Sequence, residues 1–181
     1  MKFTLYFILC IPLLHYCAFS PKLHVDKSLK TAIKDTTFAV INFDYHGAQL
    51  SSATANNAAD QFASEFYIKM KARVIDRNIV RDLLRKMELS SAKRLSSAQI
   101  DKIASDLKAR YLIFGTLVSL RTMEEYYDDN KVEVKLTIRI IDSLTGDVVA
   151  MVQNQKSSKE NMDILIQDLV NESIFFLNRE V

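Results

Sequence analysis

Two stretches of this chain are apolar almost without interruption: FAVINF at 38–43 and YLIFGTLVSL at 111–120. Short runs of this kind predict strands buried on both faces, as in a sheet covered by helices. A third stretch, VEVKLTIRIID from 132, behaves differently. Val132, Val134, Leu136, Ile138 and Ile140 alternate with Glu133, Lys135, Thr137 and Arg139. That period of two predicts a strand with one side on the core and one side wet. DSLTGD then reads as a turn, and VVAMVQNQ as the returning arm of a hairpin.

Between these strands the period changes to that of a helix. Ala59, Phe62, Ala63, Phe66 and Met70 form one apolar stripe. ARVID reads as a short strand, closed by Asp76 as the N-cap of a helix that buries Ile79, Val80, Leu83, Leu84 and Met87. Ser96 and Gln99 have the spacing of a capping box, which opens a helix with Ile100, Ile103, Ala104 and Leu107 inward. The last segment is an amphipathic helix carrying Ile164, Leu165, Leu169, Ile174, Phe175 and Leu177. The expected order is β-α-β-α-α-β-β-β-α. It gives one α/β domain over 36–181, three-layer-like, with a mixed sheet packed by helices. Gly115, in the middle of its strand, signals a bulge or a close approach of another group. Residues 17–35 show no clean periodicity and are expected to be a tether.

The first residues carry a different signal. Lys2 precedes an apolar run from 3 to 14, too short to span a bilayer and of the length of a secretory leader. Two cleavage points compete. Ala18, Phe19 and Ser20 offer small residues to a general signal peptidase, but Pro21 follows directly. Leu14, His15, Tyr16 and Cys17 resemble a bacterial lipobox, in which the Cys becomes lipidated, with Tyr16 departing from the usual small residue. Removal of 1–16 would leave Cys17 as the one cysteine, at the first position, where no disulfide can form. Lipid anchoring at Cys17 is the favoured reading.

Composition removes several classes of chemistry. The 24 basic and 22 acidic residues nearly cancel, so there is no electrostatic case for nucleic acid. Lys71, Arg73, Arg77, Arg81, Arg85 and Lys86 make a local basic stretch, expected to be a solvated helix face. The three glycines, Gly47, Gly115 and Gly146, stand too far apart to form a phosphate-cradling loop. Outside the leader only His24 and His46 remain, too few and too scattered for a zinc site. The paired serines Ser51, Ser52, Ser90, Ser91, Ser96 and Ser97 fit helix capping, and none stands in a nucleophile elbow. No cofactor, metal or catalytic residue is expected.

Four segments in order carry a resemblance: FAVINF, ARVIDRNIVRDLL, LSSAQIDKIASDLKARYLIFGTL and VKLTIRIIDSLTGDVV. Over roughly 37–155 they resemble the CsgG-like family of bacterial envelope lipoproteins. That family includes the curli secretion channel subunit, flagellar outer-membrane lipoproteins and lipoprotein activators of penicillin-binding proteins. The matching residues are 73–77, 109–116 and 141–149. The resemblance implies an N-terminal lipobox, which agrees with Cys17, and a place in the envelope. Its channel-forming member lines a pore with extra hairpins. The loops DYHGAQLSSATAN and RTMEEYYDDNK here are too short to supply such strands, so no pore of its own is expected.

The most unusual surface stretch is Glu124, Glu125, Tyr126, Tyr127, Asp128 and Asp129. A solvated hairpin loop, a docking epitope in which tyrosines give contact area beside charge, and a calcium or acid–base site all compete for it. The overall expectation is a lipid-anchored, periplasm-facing interaction module at the outer membrane. It would bind an envelope protein through that loop or the wet face of the 132–141 strand. The alternative is a homo-oligomeric secretion or channel component.

Overall fold

A computed structural model describes residues 21–89, 95–121, 132–159 and 161–181. The core elements follow the expected order, with additions at the start. They run β1 (Lys22–Val25), α1 (Lys27–Ala32), β2 (Thr37–Val40), β3 (Asp44–His46), α2 (Ser52–Met70), β4 (Arg73–Val74), α3 (Arg77–Lys86), α4 (Ser97–Leu107), β5 (Tyr111–Arg121), β6 (Val132–Asp142), β7 (Val148–Ser158) and α5 (Met162–Glu180). The strands form one sheet in the order β1-β7-β6-β5-β2-β4, with β3 beside the outer half of β5. Pairing is parallel among β2, β3, β4 and β5, and antiparallel from β5 through β6 and β7 to β1.

The two-sided burial expected of the apolar runs is present. Phe38, Val40, Tyr111, Ile113 and Leu117 point into the larger core, under α2 and α5. Their neighbours Ala39, Ile41, Leu112 and Phe114 point into the smaller one, under α3 and α4. Strand β6 keeps its alternation, with Val134, Leu136, Ile138 and Ile140 all in the larger core. Ile141 faces the other side by the same alternation, and a bulge beside it makes Val149 an extra residue of the partner strand β7, so that Val149 and Ala150 both lie in the larger core. Helices therefore cover one face of the sheet fully. On the other face they cover β2, β5 and Ile141 at the end of β6, and among the described residues the other side chains of β6, β7 and β1 on that face stand open.

Gly115 is a close approach: a Cβ there would lie 2.4 Å from the buried Phe43 ring. The caps also agree. Asp76 accepts from the Asn78 amide, Ser51 from Thr54, and Ser96 and Gln99 close a reciprocal box. Helices α2 and α4 end on Lys71 and Lys108 in the left-handed region.

The tether expectation fails from Lys22 onward. Residues 22–32 pair with β7 and turn into α1, and Leu29 is fully buried. The four residues of β1 are too few to show a period, and they become a strand only because β7 offers an edge. Asp26 caps α1 through the Ser28 amide, and that bond holds its carboxyl below the usual aspartate range. Three residues expected inside are exposed: Ile79, Ile164 and Phe175. Each sits on the solvent side of its helix, whose buried stripe is narrower than the run of apolar residues.

Candidate interaction surfaces

Cys17 and the stretch Glu124, Glu125, Tyr126, Tyr127, Asp128 and Asp129 lie outside the described residues. The expected solvated basic stretch is only partly so. Arg77 is 8% exposed and ties three elements together. Its Nε donates to Asp60 Oδ1 of α2 at 2.9 Å, Nη1 to the Val40 carbonyl at 2.6 Å, and Nη2 to Asn42 Oδ1 at 2.9 Å. Burial lowers the pKa of this guanidinium, with the Asp60 hydrogen bond and charge opposing. Arg81 shares the same carboxylate through Asp60 Oδ2, and Arg85 pairs with Asp82. A shallow hollow beside this node is lined by Asp60, Ser64, Tyr67, Asp76 and Arg81. Asp60 there is already paired with Arg77 and Arg81, and Asp76 caps α3.

The open half of the sheet is a surface that the described residues leave uncovered. Cross-strand register puts Lys22, Gln153 and Thr137 in one row, His24, Met151 and Arg139 in the next, and Gln155 beside Lys135. Gln155 also reaches Glu133, and Gln153 Nε2 donates to Thr137 Oγ1 at 3.4 Å. Lys22, Lys135 and Arg139 outnumber Glu133, so this face is basic, with the half-exposed Met151 at its centre. The flank of α5 beside β7 has the opposite sign. Asp168 and Glu172 meet Lys156 there, and Glu172 Oε2 accepts from the buried Asn154 at 2.9 Å.

The outer surface of the α2–α5 layer exposes Tyr67, Ile68, Ile164 and Phe175. Phe175 is braced by Phe176, edge to face with centroids 5.8 Å apart, and by the Arg179 guanidinium at 5.9 Å. At the far end of the sheet Arg110 pairs with the buried Asp142 at 2.6 Å, and Ser143 Oγ donates to the Ala109 and Arg110 carbonyls. These bonds fix the β6–β7 turn, from which Leu144 projects into solvent.

Groups suited to bond chemistry are sparse among the described residues. His46 Nε2 lies 3.4 Å from Asp44 Oδ2. No three His, Cys, Asp or Glu side chains among them converge as a metal site would require. No helix among them is long and apolar enough to cross a membrane. Sequence reasoning missed the Arg77 node, whose one signal was an arginine directly after the cap residue. It also missed the contribution of Lys22 and His24 to the open face, because they fell in the supposed tether.

No protein-family model matches the chain, and no curated protein is similar to it in sequence. Solved structures do match. Lipoprotein GNA1162 from Neisseria meningitidis superposes with a TM-score of 0.59 at 12% identity, over 80% of this chain and 99% of the other. The PelC dodecamer from Paraburkholderia phytofirmans gives 0.56 at 14% identity, over 86% and 94%. The hypothetical protein CT253 from Chlamydia trachomatis gives 0.53 at 11%, over 80% and 97%. At these identities the likeness is one of fold, and it extends over nearly the whole of each neighbour.

Proposed function

We propose that this chain is a lipid-anchored interaction module of the bacterial cell envelope, without catalysis, of the CsgG-like kind that its motifs resemble. The observation that carries the reading is the fold, shared almost end to end with a protein described as a lipoprotein. The leader supports it, since cleavage before Cys17 exposes a single cysteine to acylation. The site is the outer membrane, with the domain facing the periplasm. A partner protein docks on the stretch Glu124, Glu125, Tyr126, Tyr127, Asp128 and Asp129, where aromatic area stands beside negative charge.

A second reading rests on a specific observation: one neighbour of this fold is a dodecamer. In that reading copies of this chain assemble with one another as part of a secretion or channel complex. Native mass spectrometry of the full-length protein, extracted from membranes in detergent, separates the two. A monomer or dimer beginning at acylated Cys17 supports the module. A closed ring of many copies supports the assembly, and a mature chain beginning at Pro21 refutes the anchor. Replacing Tyr126 and Tyr127 by Ala is expected to weaken partner capture while leaving the unfolding midpoint unchanged. Unchanged capture removes that stretch as the docking site.

A further inference from the structure

Only residues 18–21 separate Cys17 from the first residue of β1. Fully extended, five peptide steps reach about 18 Å. Lys22 does not begin at an end of the sheet. It pairs with Gln153, half-way along β7, on the outermost strand. A strand of 11 residues such as β7 is about 36 Å long. A lipid at Cys17 therefore keeps the middle of the β1 edge within about 18 Å of the bilayer, and charge decides which surface beside that edge meets it.

Two surfaces flank that edge, and charge separates them. The α5 flank presents Asp168 and Glu172 around Lys156, and this pair of carboxylates would be repelled by anionic headgroups. The open face presents Lys22, Lys135 and Arg139 around Met151, with His24 beside it and Glu133 as the one acidic side chain in the register rows. Basic side chains close to an anionic leaflet are attracted over about a Debye length. We propose that the open face of β1, β7 and β6 is the membrane-facing surface of this protein, resting on the anionic phospholipid headgroups of the bilayer that holds its anchor. The inference rests on lipidation at Cys17. With this face down, the α2–α5 layer with Tyr67, Ile68, Ile164 and Phe175 turns away from the bilayer.

The test uses the full-length protein extracted with its anchor and reconstituted in vesicles of phosphatidylethanolamine and phosphatidylglycerol that contain a headgroup spin-labelled lipid. A fluorophore is placed at Met151→Cys, or for comparison at Ser64→Cys on the exposed side of α2. The expected result is quenching several-fold stronger at 151 than at 64. That difference shrinks when the vesicles lack phosphatidylglycerol, or when Lys135 and Arg139 are both replaced by Glu. Equal quenching at the two positions, or stronger quenching at 64, overturns the orientation while leaving the anchor standing. Crosslinking of position 151 to a second copy, without quenching, assigns the face to self-association and also overturns it. Protein that lacks an acyl chain by intact mass and fails to float with the vesicles refutes the anchor, and the orientation with it.

Discussion

Arg77 shows how one residue can hold three elements. It satisfies the Val40 carbonyl where β2 ends, fixes Asn42 beyond it, and meets Asp60 from α2 while opening α3. A charge this enclosed is tolerated because each of its three nitrogens donates to an acceptor. Replacing Arg77 by Met removes all three bonds and is expected to cost about 1–3 kcal/mol in chemical denaturation. The control is Arg81→Met at the exposed partner of the same carboxylate, where about 0–1 kcal/mol is expected. Equal losses would mean that Asp60 alone matters. From sequence both arginines belong to one basic stretch. They differ only in depth, and depth depends on where α2 crosses, which no local pattern encodes. Lys156 follows a similar logic with a measurable pH signature. Its partial desolvation lowers the ammonium pKa, but the hydrogen bonds it donates to Glu172 and Asp168, with their charge, win, and the net shift is upward. A raised folded-state value means that the stabilisation is complete below about pH 10.4 and is lost as pH rises through the folded value. Thermal unfolding of Lys156→Met should therefore start lower at pH 8 and fall less steeply than wild type above pH 10. Parallel curves would show that the contact contributes nothing.

The elements that sequence predicted well are those whose period is set by a wide, continuous core. Strand β6 alternates because α5 covers one side while, among the described residues, most of the other side is open, so its five apolar and four polar positions could be assigned by inspection. Caps were legible for the same reason: Asp76, Ser51 and Ser96 satisfy amides of their own helix, and the signal is local. What was not legible depends on distant partners. The short β1 and α1 carry no period of their own, yet Leu29 is as deeply buried as any residue in the sheet. Leu29→Ala is expected to lose about 2–5 kcal/mol, measured as the shift in denaturation free energy. A shift within error of zero would return 22–35 to the status of a tether. The exposed Ile79, Ile164 and Phe175 show the opposite failure. Apolar residues adjoining a buried stripe look like part of it until the helix is set down on its sheet. The acidic tyrosine stretch, one of the two docking surfaces expected from the sequence, lies between β5 and β6 outside the described residues. The open basic face, by contrast, was half visible in the alternating Lys135 and Arg139.

On the scale of the whole molecule the two faces of the sheet are unequal. The larger core runs unbroken from α1 through α2 and α5 across all the long strands, while the smaller joins α3 and α4 to β2, β5 and Ile141 at the end of β6. Local opening follows the apolar area that must be exposed. Native-state hydrogen exchange should therefore find amides of α3 and α4 opening at lower free energy than those of α5, β5 and β6. A single common opening energy would show that the layers unfold as one unit.

The position of β1 has a consequence for the order in which the chain is made. Its neighbour in sequence is β2, but its neighbours in space are Ala150 to Gln153, with β7, β6 and β5 standing between it and β2. A ribosome therefore releases β1 first and its partner almost last, and pairing so distant in sequence forms late. Until then the segment directly after Cys17 has nothing to dock on. The β1 arm stays unpaired during synthesis and is locked into the sheet only when the C-terminal hairpin arrives.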